Sequence, residues 1–342
     1  MPDFYDALET RDSVLREKQQ FDELKKQLHN ARDHAPAYAA ILADVDIADI
    51  NDRDTLSMIP LTRKSDIAER QGELPPLGGY AAVRMDSFYN VFASPGGIFE
   101  PGAARDDYWN FARGLHAAGI RAGDLIHNTF SYHFTPAGLM VDSAARALGC
   151  PVFPGGIGQT ELQVQVMARL QPRAYCGTPS FLKIILDKAA EMEIQVDTLS
   201  LGLVGGEALP GSLRTELSDS GVDVVQFYGT ADLGMVAYES SAKEGMILEE
   251  KVIVEIVRPG TGEPVTEGEV GEIVVTTLSP EYPLIRFATG DLSAFMSGNS
   301  PCGRTNRRIK GWMGRADQTA KVRGMFVHPS QVASVVSRHD EL

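Results

Sequence analysis

The sequence predicts an α/β protein, a parallel sheet flanked by helices, followed by a smaller β-rich portion. Short apolar runs alternate with amphipathic, helix-like stretches from about residue 88 to residue 227, and that alternation belongs to sheets whose parallel strands are joined by helices. Several runs end in glycine-rich turns, where ligands collect in such sheets. After residue 245 the runs become rich in Val, Ile and Thr and are separated by Pro259-Gly260-Thr261-Gly262-Glu263-Pro264. This reads as two strands joined by a turn in an antiparallel or barrel-like subdomain.

In chain order, Val14, Leu15, Phe21, Leu24, Leu28, Ala31, Tyr38 and Ile41 recur at spacings near three and four, which predicts an amphipathic helical region over 13–42. In Ile59-Pro60-Leu61-Thr62-Arg63-Lys64-Ser65-Asp66-Ile67 the proline ends an extended piece, and Ser65 or Thr62 is expected to cap the helix that follows. Strands are predicted at 89–93, 125–129, 151–153, 174–176, 200–204 and 223–227, with helices at 105–118, 137–148, 159–170, 180–192 and 209–220. The two later strands fall at 251–257 and 271–277. The expected division is a helical region at 1–80, an α/β core at 81–245, the β-rich subdomain at 246–314, and a hinge with the start of a further, incomplete domain at 315–342.

Composition narrows the function. A chain of 342 residues with 43% hydrophobic and 23% charged residues is an ordinary globular protein with ample core. Its net charge of −14 repels nucleic-acid backbones and anionic lipid, while leaving room for a local basic cluster around a small anion. No run is apolar enough to cross a bilayer, and Met1-Pro2-Asp3-Phe4-Tyr5-Asp6 has no secretory character, so neither nucleic acid nor membrane is an expected partner and the cytoplasm is the expected location. Cys150, Cys176 and Cys302 are too scattered for a disulfide framework or zinc site and are read as reduced thiols.

Four pieces carry candidate chemistry. In Gln226-Phe227-Tyr228-Gly229-Thr230-Ala231-Asp232 a strand-like run enters a glycine turn that presents Thr230 and its backbone amide; an ordinary strand-to-helix turn is the simpler reading of that piece alone. One strand earlier, Gly205 and Gly206 leave room for a flat purine, and Glu207 offers either a polar edge or the favourable carboxylate of a helix amino-terminus. Asp291 follows a glycine turn in Pro283-Leu284-Ile285-Arg286-Phe287-Ala288-Thr289-Gly290-Asp291, where a carboxylate accepts both hydroxyls of a ribose or closes its own turn. From Gly314 to Gly324, Arg315, Lys321 and Arg323 alternate with small and polar residues, as solvated charge does and as an anion site does.

The order and spacing of these pieces resemble the phenylacetate–CoA ligase branch of the adenylate-forming (acyl-CoA synthetase) superfamily. The branch is marked by Leu61-Thr62-Arg63-Lys64-Ser65-Asp66-Ile67, by Gly155-Gly156 before Gln159-Thr160-Glu161, and by Cys176-Gly177-Thr178-Pro179-Ser180-Phe181. The resemblance runs from near residue 5 to the end. It implies the large amino-terminal domain of such an enzyme, with mixed and parallel sheets, and ATP or AMP, Mg²⁺ and CoA as cofactors. A carboxylic acid is then joined to AMP and passed to the CoA thiol. It implies that Tyr228 lies against adenine, with Gly205, Gly206 and Glu207 on the other side and Gly229 in the turn. Thr230 is implied at the α-phosphate, Asp232 at Mg²⁺ where relatives usually have glutamate, Asp291 at the ribose hydroxyls, and Arg315 near ribose or phosphate. Thr230, Asp232 and Arg315 are the expected catalytic groups, and Asp317 falls where relatives pivot a small lid.

Two departures stand against the pattern. Relatives cradle the β- and γ-phosphates in a loop rich in Ser, Thr and Gly that ends in Lys, whereas the matching segment here reads Phe92-Ala93-Ser94-Pro95-Gly96-Gly97-Ile98-Phe99-Glu100-Pro101. Gly96 and Gly97 keep the turn, but most hydroxyls and the lysine are gone and Pro95 removes an amide donor. The chain is also expected to lack the relatives' carboxyl-terminal lid domain. Phe130-Ser131-Tyr132-His133-Phe134-Thr135-Pro136-Ala137-Gly138 falls where relatives place an aromatic wall. Tyr132, His133 and Phe134 are therefore expected at the pocket of an aromatic or arylalkyl acid, with His133 orienting the carboxylate or satisfying a core hydrogen bond. Pro301-Cys302-Gly303-Arg304 is similar to a zinc-holding Cys-Pro-Cys-Gly-Arg segment, but Ser300 replaces the first cysteine and no structural zinc is expected. Similar enzymes often pair, so a homodimer is among the expected assemblies. The altered loop keeps two alternatives open: an adenylating enzyme with an acceptor other than CoA, and a catalytically weak AMP- or acyl-adenylate-binding descendant.

Overall fold

Amphipathic spacing at the start produces helices α1 (Ser13–His34) and α2 (Pro36–Ile41). Phe21, Leu24, Leu28, Ala31 and Tyr38 are buried on one side of them. Asp12 caps α1 by accepting from the Leu15 amide, and Pro36 starts α2 at a position where no amide is missed. The computed structural model describes residues 4–94, 97–318, 320–322 and 325–327. A short α3 (Arg53–Ser57) leads to β1 (Thr62–Arg63), which runs directly into α4 (Lys64–Glu73). Neither expected cap operates there. Thr62 is in the strand, donating its hydroxyl to the Ile285 carbonyl, and Ser65 lies inside the helix; Asp66 instead accepts from the Arg63 amide.

Strand β2 (Phe88–Ala93) forms an antiparallel hairpin with β3 (Phe99–Ala103), so the apolar run at 89–93 does not join the parallel sheet as expected. The helix expected over 105–118 shrinks to α5 (Ala112–Ala117) because Asp107 and Asn110 take left-handed backbone conformations, with φ of 53° and 61°. The Asp107 carboxylate accepts from the Ala112 amide, and the Trp109 carbonyl accepts from Met235, pinning this turn to the sheet.

Then the alternation sets in: β4 (Ile126–Asn128), α6 (Ala137–Leu148), β5 (Val152–Pro154), α7 (Thr160–Leu170), β6 (Ala174–Gly177), α8 (Pro179–Glu191), β7 (Leu201–Val204), α9 (Gly211–Asp219) and β8 (Asp223–Thr230). These five strands are parallel in the order β5-β4-β6-β7-β8. The sheet continues antiparallel through β9 (Gly234–Tyr238) and β10 (Met246–Leu248). Strands β11 (Val252–Val257), β12 (Gly271–Thr277) and β13 (Phe287–Ser293) build a second sheet in the order β1-β13-β12-β11, with β1 parallel to β13. Finally β14 (Phe295–Met296) and β15 (Arg308–Ile309) close the far edge of the first sheet, and β16 (Ala320–Val322) pairs with β17 (Met325–Val327). Among the described residues no helix is long and apolar enough to cross a membrane.

The second sheet is the platform for the amino-terminal helices, because β1 comes from residues 62–63 and the buried residues of α1 and α2 share one apolar cluster with Ile253, Ile256, Ile273, Val275 and Phe287. Arg286 locks this joint. Its guanidinium donates to both oxygens of Glu255, each at 3.0 Å, and to the carbonyls of Ser57 (2.6 Å) and Ile59. Both charged side chains are almost completely buried, at 3% and 4% exposure. A buried bidentate pair is costly to break because the remaining carboxylate is left without compensation. Arg286→Ala is therefore expected to lower stability by about 3–5 kcal/mol in urea denaturation; a loss within the range of an ordinary surface substitution would exclude this locking role.

Candidate active site

The carboxyl ends of β7 and β8 meet β13 and the segment that follows β15, and the meeting point is a cleft in two parts. One part, about 400 Å³, is lined by Gly206, Glu207, Tyr228, Gly229, Asp291 and Trp312 among others. The second, about 500 Å³, is lined by Arg63, Lys64, Ser94, Thr230, Asp232 and Arg315, again with Gly229 and Asp291. Asp291 thus stands at the junction.

Its carboxylate is gripped from three directions. Oδ2 accepts from the Tyr228 hydroxyl at 2.9 Å, and Oδ1 accepts from Trp312 Nε1 at 3.0 Å and Arg315 Nη1 at 3.2 Å. Arg315 reaches it because residues 313–315 run antiparallel to β13: Met313 donates to the Leu292 carbonyl, Leu292 donates to the Gly314 carbonyl, and Asp291 bridges Arg315. Gly290 is favoured beneath the guanidinium by its left-handed φ of 74°, and an added Cβ there would also press on Arg315 Nη2. Burial, and then the Asp291 carboxylate, push the Tyr228 phenol well above its ordinary value. That residue is accordingly a neutral hydrogen-bond donor.

On the other wall, Gly205 packs directly on the Phe227 ring, where an added Cβ would approach to 2.6 Å. Gly206 turns the chain at φ 79°. Glu207 accepts from the Ser180 amide at 2.7 Å, so its carboxylate serves the start of α8 rather than a helix of its own.

At the second part of the cleft, Thr230 Oγ1 accepts from the Leu233 amide at 3.2 Å. Asp232 pairs with Lys64 (Oδ2 to Nζ, 3.3 Å), while its Oδ1 is buried without a hydrogen-bond partner. Glu100, from β3, faces Asp232 and Ser94 with both carboxyl oxygens buried and neither in a well-formed hydrogen bond. Burial first, and Asp232 second, push its carboxyl up to about 9. Burial also raises Glu272, which accepts from the Gly290 amide at 3.1 Å and lies 3.9 Å from Arg63.

The structure therefore brings Gly206, Glu207, Tyr228, Gly229, Thr230, Asp232, Asp291 and Arg315 to one cleft, while Gly205 packs on Phe227 and is not among its lining residues. Gly97 lies in the turn closed by Ser94, whose amide donates to Ile98; Gly96 is outside the described residues. Tyr132, His133 and Phe134 do not line either part of the cleft. Tyr132 donates to Asp142 at 2.7 Å and accepts from Asn128, whereas His133 is exposed, so it satisfies no core hydrogen bond, and Phe134 is 83% exposed. The Phe134 carbonyl accepts from the Ala93 amide, which fastens this loop to β2. Asp317 lies 3.5 Å from Arg315.

Sequence reasoning missed Lys64, Arg63, Glu100 and Trp312. The first two lie in a segment that physics alone reads as a connector. Lys64 delivers a cation to the second part of the cleft, where it pairs with Asp232. Trp312 had a signal in its position three residues before Arg315, but only the register with β13 shows that its indole turns onto Asp291.

The sequence profile of the family described as AMP-binding enzyme matches residues 137–279. Phenylacetate-coenzyme A ligase of Thermus thermophilus is 32% identical over 334 residues, spanning 93% of this chain and 74% of the relative. The Escherichia coli K12 phenylacetate-coenzyme A ligase is 30% identical over 358 residues, spanning 98% and 79%. Among solved structures, an open conformation of 2-hydroxyisobutyryl-CoA ligase in complex with 2-HIB-AMP and CoA superposes with a TM-score of 0.89, at 24% identity, over 97% of this chain and 76% of the other. At that identity the superposition speaks for the fold.

The raised Glu100 carboxyl gives the site a pH signature. Its folded value of about 9 lies above the ordinary 4.5, so the folded state holds the proton more tightly than the unfolded chain. The contribution favours folding fully below about pH 4.5 and is lost as pH rises through about 9. In metal-free buffer Glu100→Gln is expected to be more stable than the parent at pH 9 by roughly 1–3 kcal/mol, with the difference shrinking towards pH 4.5. A gap that does not change with pH in urea titrations would contradict this assignment.

Proposed function

This chain belongs to the phenylacetate–coenzyme A ligase family of AMP-binding enzymes, and from that membership and the cleft described above we propose that it uses ATP to convert a carboxylic acid to an acyl adenylate and passes the acyl group to CoA. The carrying observation is the Asp291 carboxylate, held by Tyr228, Trp312 and Arg315 where the two parts of the cleft meet. It divides the site into a nucleoside side, walled by Gly206, Glu207 and Tyr228, and a phosphate side, walled by Lys64, Thr230, Asp232 and Arg315.

In this reading the ribose diol sits on Asp291 and the α-phosphate beside Thr230 and Arg315. The carboxylate of the acid attacks the α-phosphorus in line, the new C–O–P linkage forms, and pyrophosphate leaves. Thr230 and Arg315 face the charge that builds on the phosphoryl oxygens, and Lys64 adds a cation at the leaving side. The CoA thiolate then attacks the acyl carbon and AMP departs. No protein nucleophile is needed.

Asp232 fits Mg²⁺, since it places a buried carboxylate, beside Lys64 and the Glu100 carboxyl, at the phosphate end. Mg²⁺ commonly takes only one or two carboxylates and completes its shell with water and phosphate oxygens. When bound, the cation neutralises charge on the phosphates. The names of the relatives support an aromatic or arylalkyl acid as the substrate class.

A second reading, a catalytically weak acyl-adenylate binder, is favoured by Glu100, a buried acid beside the leaving side in place of donors. Exchange of labelled pyrophosphate into ATP, dependent on added arylalkyl acid, together with CoA thioester formation, is the expected result. AMP binding with neither activity would select the second reading. Asp291→Asn is expected to weaken AMP by about 1–3 kcal/mol through loss of charged hydrogen bonds. Unchanged affinity by calorimetry in the folded variant would remove Asp291 from the ribose contacts.

A further inference from the structure

Asp291 has fewer free acceptor positions than a ribose needs. An ionised carboxylate offers about four lone-pair positions. Both on Oδ1 are taken, by Trp312 and Arg315, and one on Oδ2 is taken by Tyr228. A diol brings two donors to the one position left. One resident donor must give way.

The three residents are not equally replaceable. Tyr228 is buried in the apolar cluster behind the cleft. Arg315 is ion-paired to Asp291, donates to the Thr289 carbonyl at 3.2 Å and rests over Gly290, so its withdrawal separates charges. Trp312 is neutral and 47% exposed, and its backbone neighbourhood is held independently of the ring through the Met313–Leu292 hydrogen bond. Its indole lines the nucleoside part of the cleft. Rotation of this side chain removes one hydrogen bond without separating an ion pair and uncovers little core.

We propose that Trp312 is a displaceable cap on the ribose carboxylate: its indole N–H holds Asp291 Oδ1 while the cleft is empty and yields that acceptor to a ribose hydroxyl when the nucleotide binds. This rests on the nucleotide reading above. No bond other than hydrogen bonds changes, and no proton is transferred. A nucleotide with both hydroxyls must displace the indole, whereas a deoxynucleotide with one hydroxyl uses the free position on Oδ2 and leaves Trp312 in place. Trp312 therefore narrows the advantage of the diol over its deoxy analogue.

The test is calorimetric binding of AMP and 2′-deoxy-AMP to the parent and to Trp312→Phe. Phe keeps an aromatic wall but has no N–H to displace, so the deoxy-to-AMP ratio of Kd values is expected to rise, by roughly tenfold or more for one hydrogen bond to a carboxylate. A residue acting only as a wall changes both affinities together and leaves the ratio fixed. An unchanged or smaller ratio overturns the proposal, while failure of the parent to bind AMP overturns the nucleotide reading itself. A second measurement needs no substitution. The chain has two tryptophans, and in protein labelled with 5-fluorotryptophan the ¹⁹F resonance of Trp312 is expected to shift with AMP and much less with 2′-deoxy-AMP, with buried Trp109 as the internal reference. A Trp312 resonance unmoved at saturating AMP also overturns it.

Discussion

Asp291 is the residue on which the site's geometry depends, because its carboxylate is where three separately built parts of the chain touch. Tyr228 arrives on β8 of the first sheet, Asp291 on β13 of the second, and Trp312 and Arg315 on the segment beyond β15. Apolar packing brings the sheets together without direction. Hydrogen bonds to an ionised acceptor supply direction, and they are the stronger kind. The carboxylate therefore fixes the register of the cleft as well as offering a contact to a ligand.

Electrostatics at the phosphate end are local and balanced, in a chain whose net charge is −14. Arg63, Lys64 and Arg315 face Asp232, Glu272 and Asp291 along the same cleft. Glu100 would tip that balance towards repulsion of phosphate if it were ionised, but burial and the neighbouring Asp232 keep its carboxyl protonated at neutral pH. The phosphate end is thus close to neutral when empty. A polyphosphate entering it needs added positive charge, which is the physical reason a divalent cation beside Asp232 is coherent with this arrangement.

Much of the fold was legible because its signals are local. The runs at 125–129, 151–153, 174–176, 200–204 and 223–227 each yield a parallel strand; β6 and β7 are apolar because they are buried within the sheet, whereas β4 buries the polar His127 and Asn128 and β5 is a half-exposed edge strand. Residues 89–93 carry a similar run but pair only with β3, and no local pattern states which partner a strand takes. The helix expected across 105–110 fails because the Trp109 carbonyl is committed to Met235, more than a hundred residues away, and Asp107 and Asn110 tolerate the left-handed conformations that this demands. Likewise the capping hydroxyl expected from Thr62 is spent on Ile285, a tertiary partner. In the cleft, the glycine turns and Asp291 showed themselves as motifs. Lys64, Glu100 and Trp312 did not, because each acts through a neighbour distant in sequence.

The two ends of the cleft consequently differ in what specifies them. The nucleoside wall is set by close backbone packing, as where Gly205 lies against Phe227 with no room for a methyl group; that shape is available only when β7 and β8 are already paired. The other end is set by charged side chains from β1–α4, β3, the turn after β8, β12, β13 and the segment after β15, which tolerate small shifts but must balance one another. Change in the loop between β2 and β3 alters the second end without touching the first. Substitution at one end can therefore leave the other intact, because in the present chain Gly205 packs on Phe227 at one end while Glu100 faces Asp232 at the other.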